Sequence, residues 1–143
     1  MGVSRLILSG HLRDQILSHA RKSQPNEAVG LLGGNSDGRV TLALPLPNIA
    51  VENKRFVADP FEQFSALRRL KSEDLQLLAI YHSHPDGGVD PSEEDLEYAK
   101  RWSSCAHLIV AFSTHGQGYE KLRAFYCVER GSIEQGEIPI VLI

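Results

Sequence analysis

Apolar residues change their period several times along this chain, and each change predicts an element. "RLILS" (Arg5 to Ser9) is a short continuous apolar run and predicts a first strand. In "HLRDQILSHARKS" the apolar positions Leu12, Ile16, Leu17 and Ala20 fall near helical spacing, which predicts an amphipathic helix. "QPNE" interrupts that pattern with residues that favour a turn. "EAVGLLGG" reads as a buried strand ending at two glycines, "NSDG" as a hairpin turn and "RVTLALPL" as the returning strand.

The middle of the chain is less regular. "PNIAVENKRFVADP" shows no period, apart from a short strand at "RFVA". Asp59 followed by Pro60 predicts a helix start, with Asp as N-cap and Pro in the first helical position. The helix "PFEQFSALRRLKSE" is expected to carry Phe61, Phe64, Leu67 and Leu70 on one face. "LQLLAIYHSH" is nearly continuous apolar and predicts a central strand. "PSEEDLEYAKRW" predicts a third helix, ending at Trp102 in or beside the core. "AHLIVAFS", "KLRAFYCVE" and "IPIVLI" predict three more strands, with "THGQG" looping between the first two. No internal repeat or low-complexity tract appears. The pattern predicts one α/β domain over residues 1–143, a mixed sheet of about six to eight strands against two or three helices.

Composition narrows the function classes. The chain has 143 residues, enough for one core, with 42% hydrophobic and 23% charged positions. Fifteen basic against eighteen acidic residues give a net charge of −3, which argues against nucleic acid as a partner. Arg68, Arg69 and Lys71 read as one solvated helix face. Cys105 and Cys127 form no C-x-x-C pair and read as small buried residues in a reducing compartment. No apolar run reaches the roughly 20 residues a membrane span needs. "MGVSRLILSGHLRD" matches neither a signal peptide nor a myristoylation motif. The expectation is a cytoplasmic protein.

The candidate chemistry lies in "YHSHPDGGVDPSEED". His82 and His84 are two apart on a predicted strand, so both imidazoles point to one face and can chelate one metal ion. Alone, an H-x-H pair also fits two solvated or core histidines. Asp95, one turn into the next helix, can complete a two-His, one-Asp set with water in a fourth position. Ser92 and Asp95 equally fit a capping box. The two readings compete for the same oxygens. Asp90 with Pro91 offers an alternative N-cap that would leave Ser92 and Asp95 available for chemistry. Glu27 is a candidate base, because a charge beside the apolar run "AVGLLGG" is costly to bury without a partner. It also fits an exposed residue at the start of that strand, and spacing alone cannot bring it to His82. His11 and His19 read as partly exposed, and His107 and His115 as a strand start and a loop residue.

Together, Glu27 in "NEAVGLLGG" and "HSHPDGGVDPSEED" resemble the JAMM (MPN+) metalloprotease motif. That motif is a Glu, then H-[ST]-H-P, a Ser separated from the second His by seven residues, and an Asp three after it. Pro85 to Pro91 supply the seven residues, followed by Ser92 and Asp95. The "E-x-x-G-x-L-x-G" strand and the helix after "RFVADPFEQF" extend the resemblance over most of the chain, in the compact bacterial and archaeal style. The resemblance implies a cytidine-deaminase-like α/β sandwich. It implies one Zn²⁺ per chain on His82, His84 and Asp95, with Glu27 as general base and Ser92 stabilising the oxyanion. Ser83 reads as structural. The deaminase signatures H-x-E and P-C-x-x-C are missing, which excludes base deamination. Substrates implied are ubiquitin-like or sulfur-carrier proteins, cleaved after a C-terminal Gly-Gly. "GGVDP" and Ile49 to Ala58 would line the groove for that tail. A non-catalytic scaffold of the same fold, and a peptidase for small or cell-wall peptides, are the alternatives. The apolar "IPIVLI" offers an edge for a homodimer.

Overall fold

The computed structural model describes residues 2–52, 55–85, 87–112, 120–129 and 133–143. The "THGQG" loop with His115 lies outside the described residues. Among them the order is β1 (Leu6–Leu8), α1 (Gly10–Ser23), β2 (Val29–Gly34), β3 (Val40–Leu46), α2 (Pro60–Ser72), β4 (Gln76–His84), α3 (Glu93–Arg101), β5 (Ala106–Phe112), β6 (Glu120–Glu129), β7 (Ile133–Ile138) and β8 (Ile140–Leu142).

Six strands form a mixed sheet in the order β3-β2-β4-β5-β6-β7. All neighbours in it are antiparallel except β4 and β5, which are parallel. A parallel pair needs a crossover, and α3 supplies it. The chain therefore leaves the C-terminal end of β4 and enters the helix directly beside it. That connection places "DPSEED" against the end of the histidine strand.

β4 is buried on both faces, which explains its unbroken apolar sequence. Ala79 and Tyr81 face the first core cluster, where α1 packs through Leu12, Ile16, Leu17 and Ala20. Ile80 faces the second, with Val29, Leu31 and Ala66 of α2. Ala99 of α3 packs on Ile109 and Phe125 in a third. The caps follow the sequence. Ser9 accepts from the Leu12 N–H at 3.2 Å. Asp59 accepts from the Phe61 N–H at 2.9 Å and the Glu62 N–H at 3.3 Å, with Pro60 beginning α2.

Four expectations are corrected. "RFVA" forms no strand; Ala58 makes a lone bridge to Asn48. "IPIVLI" is two elements, since Ile138 ends β7 while Ile140–Leu142 pairs in parallel with Leu6–Leu8 as a separate two-stranded sheet. Phe61 and Phe64 do not share the core face of α2 but are 85% and 63% exposed. Each step of three residues turns the helix about 60° short of a full revolution, so Phe61 ends up opposite Leu70. Finally, α3 begins at Glu93 with Ser92 as its N-cap, not at Pro91 with Asp90. Asp90 instead accepts from Arg123 Nη1 at 3.1 Å.

Candidate metal centre

β2 and β4 run antiparallel with Val29 opposite His82. Carrying that register two residues outward sets Glu27 across from His84. Directly opposed residues project to the same face, so Glu27 joins the histidine face across 55 residues of chain. Ser83 fixes this end of the pairing. It is fully buried. Its N–H donates to the Ala28 carbonyl at 3.0 Å, and its Oγ accepts from the Ala28 N–H at 2.8 Å.

The crossover brings in Asp95, whose Oδ2 lies 3.1 Å from His82 Nε2 and 2.9 Å from His84 Nε2. The two Nε2 atoms are 3.2 Å apart. Ligand atoms of Glu27, His82, His84 and Asp95 all lie within 4.8 Å of one another. Glu27 is 6% and Asp95 7% exposed, beside His82 at 3%; such burial is unusual for carboxylates unless a cation or proton compensates them. Tetrahedral bonds of about 2.0–2.1 Å would hold neighbouring ligand atoms roughly 3.3–3.4 Å apart. The spacings among His82, His84 and Asp95 are within about half an ångström of that, so these three donors fit a divalent ion, with Glu27 close enough to join them.

The same Oδ2 of Asp95 also accepts from the Ser92 N–H at 3.0 Å, while Ser92 Oγ accepts from the Asp95 N–H at 3.1 Å. The capping box and the ligand cluster therefore coexist, against the expectation that they exclude each other. A carboxylate oxygen has two lone pairs, and one suffices for the cap. The hydroxyl proton of Ser92 takes no part in the cap and is left to donate elsewhere.

Electrostatics follow from these contacts. His84 Nδ1 lies 2.7 Å from the Gly88 carbonyl, which can only accept, so Nδ1 carries the proton and Nε2 faces Asp95. Burial alone would lower the His84 pKa, but the Asp95 carboxylate and the Gly88 carbonyl raise it. His82 moves the other way: burial lowers it despite Asp95. Burial would raise Asp95, but the hydrogen bonds from both histidines hold it far below the usual carboxylate range.

Phe56, Tyr98 and Asn48 belong to this site, and the sequence reading did not single them out. Phe56 stacks on His82 with centroids 4.5 Å apart and planes at 24°, and meets Tyr98 edge-on at 4.8 Å. The available signal was the dipeptide "PN" in the irregular stretch, since Asn after Pro marks a turn built on side-chain hydrogen bonds. His107 is buried and donates from Nε2 to the Trp102 carbonyl at 3.1 Å, and His19 meets the Tyr81 hydroxyl at 2.6 Å. Neither joins the cluster.

The family described as prokaryotic homologs of the JAB domain matches residues 9–127. The chain belongs to the JAMM/MPN family. It is 41% identical over 117 residues to a desampylase from Haloferax volcanii, covering 78% of this chain and 84% of that protein. It is 27% identical over 137 residues to the CysO-cysteine peptidase of Mycobacterium tuberculosis, covering 95% and 91%. A solution structure of the Desulfitobacterium hafniense protein DSY2949 superposes with a TM-score of 0.80 at 31% identity, covering 96% and 92%. The JAMM/MPN fold expected from the motif is the fold observed. Of these relatives, one is named a desampylase and one a peptidase.

Proposed function

We propose that this JAMM/MPN chain, acting as one domain, is a zinc-dependent (iso)peptidase that cleaves after the C-terminal Gly-Gly of ubiquitin-like or sulfur-carrier proteins. The observation that carries the reading is the convergence of Glu27, His82, His84 and Asp95 within 4.8 Å at the end of β4. The names of two relatives, a desampylase and a CysO-cysteine peptidase, support the substrate class. In this reading His82, His84 and Asp95 hold the ion. Bound zinc supplies Lewis-acid chemistry, acidifying water and polarising a carbonyl. Glu27 takes a proton from the attacking water and returns it to the leaving amine. The Ser92 hydroxyl donates to the carbonyl oxygen as negative charge develops on it. The Phe56 ring shields the His82 face from water, and His84 is kept in one tautomer by Gly88.

Zinc analysis of the purified protein, paired with cleavage of a carrier protein extended beyond Gly-Gly, tests this. Expected are one zinc per chain, cleavage by wild type, and Glu27→Gln with full zinc but activity lower by roughly 10²–10⁴-fold. A Glu27→Gln protein as active as wild type would refute the base assignment. A zinc-free wild type that still cleaves would refute the mechanism.

A further inference from the structure

Asn48, half-buried at the start of the segment that carries Phe56, uses its whole side chain. Its Nδ2 donates to the Glu27 carbonyl at 2.8 Å and to the Arg55 carbonyl at 3.1 Å. Its Oδ1 accepts from the Ala50 N–H at 3.0 Å and the Val57 N–H at 2.9 Å. A side-chain amide has two donor hydrogens and two lone pairs, so all four are engaged. An Asn serving only a local turn needs one of these bonds, the one to Ala50. Three of them close the segment on itself, and the fourth ties it to the backbone of Glu27.

The placement of that fourth bond matters. On its far side, Glu27 is followed by Ala28, which Ser83 clamps through two hydrogen bonds. Glu27 lies two residues before the start of β2. Its carbonyl is held by the segment that delivers Phe56 onto His82. One amide group thus bonds both the backbone of Glu27 and the segment that carries the ring over His82.

We propose that Asn48 is a positioning residue, which holds the backbone of Glu27 and couples it to the Phe56 cover of the metal centre. Its catalytic meaning rests on the reading of Glu27 as general base. Asn48→Asp separates the two halves of the device. Aspartate keeps an acceptor for Ala50 and Val57 but loses both donors, including the one on Glu27.

The test reads amide hydrogen exchange and steady-state kinetics on the zinc-loaded full chain. In Asn48→Asp, exchange at the Ala28 amide should quicken by at least about tenfold while Ala50 and Val57 stay protected. With zinc content unchanged, kcat on the extended carrier should fall by about tenfold or more at unchanged KM, since small misplacements of a base are costly. Asn48→Ala should additionally expose Ala50 and Val57. Unchanged exchange at Ala28 in Asn48→Asp overturns the proposal. Identical behaviour of the two variants, or general exchange throughout both, overturns it too, by making Asn48 a loop or folding residue only. A wild type that binds zinc but cleaves no carrier refutes the peptidase reading, and exchange at Ala28 then still decides the positioning one.

Discussion

Asp95 Oδ2 caps α3 and faces both histidines, and two substitutions should pull the cap apart from the proposed ligand role. Ser92→Ala deletes the Oγ that accepts the Asp95 N–H at 3.1 Å and leaves the carboxylate in place. An N-cap loss of this kind costs about 1 kcal/mol, or a fall of roughly 3–4 °C in melting temperature for a domain of this size. Metal binding adds stability in proportion to the logarithm of the ratio of free zinc to Kd. At zinc about 1,000 times the wild-type Kd that gain is about 4 kcal/mol, or roughly 12–16 °C. Ser92→Ala should lower the metal-free melting point and leave the zinc-induced increment intact. Asp95→Asn does the reverse. Its amide oxygen can still accept the Ser92 N–H, so the cap persists; the lost charge at the helix start costs about 0.3–1 kcal/mol, beside the loss of its ionic contact with His82 and His84. Its zinc increment collapses. A hundredfold weaker site at the same zinc concentration retains about 1.4 kcal/mol, or roughly 4–6 °C. The assay is thermal unfolding in buffered free zinc and in chelator, with bound metal measured in parallel. If Asp95→Asn keeps the full zinc increment, Asp95 is no ligand. If Ser92→Ala loses it, cap and ligand are one inseparable unit.

Gly30→Ala would place a methyl 2.3 Å from the buried Tyr81 ring, and should cost at least about 1–3 kcal/mol by urea unfolding. No loss would mean that the ring does not lie across Gly30. Leu70→Ala, at a position 2% exposed, should cost about 2–5 kcal/mol, while Phe64→Ser, at 63%, should change stability by less than about 0.5 kcal/mol. Equal losses would put Phe64 back in the core. Burial pushes the His107 pKa down to about 4, against hydrogen bonding to Trp102. Above its unfolded value of about 6.5 both states are neutral; as pH falls toward about 4 only the unfolded chain takes the proton, so stability is lost by up to roughly 3 kcal/mol. His107→Gln should flatten that slope relative to wild type, and an unchanged slope would refute the assignment.

What the sequence disclosed depended on how local the determining physics is. α1, the Asp59–Pro60 start of α2, and β4 were legible because caps and period are carried by adjacent residues. The i+3 reading of α2 failed at Phe61 and Phe64 because angular drift accumulates over three steps. "IPIVLI" looked like one strand because its break is tertiary: Leu6–Leu8 recruits Ile140–Leu142 away from the main sheet. The candidate His82, His84 and Asp95 cluster was legible as spacing within fifteen residues, and Glu27 as a candidate base, but its approach to them only through the family motif, since that depends on the β2–β4 register. Phe56 and Asn48 stayed hidden for the same reason. Nothing in a non-periodic loop announces a ring stacked on His82.

His84 carries a proton on Nδ1 toward Gly88, so with Nε2 2.9 Å from Asp95 Oδ2 a second proton on the ring is favoured, and its raised pKa expresses this. That proton neutralises a carboxylate that would otherwise be buried with its charge uncompensated. A divalent ion meets the same need at the same point and must displace the proton. Zinc uptake by this cluster should therefore weaken as pH falls, because protons and metal compete for one position. The capping box limits the structural cost of the exchange. The Ser92 N–H holds Oδ2 from one side, which keeps Asp95 turned toward the histidines. The residues that start α3 thus prearrange part of the ligand set that its crossover delivers.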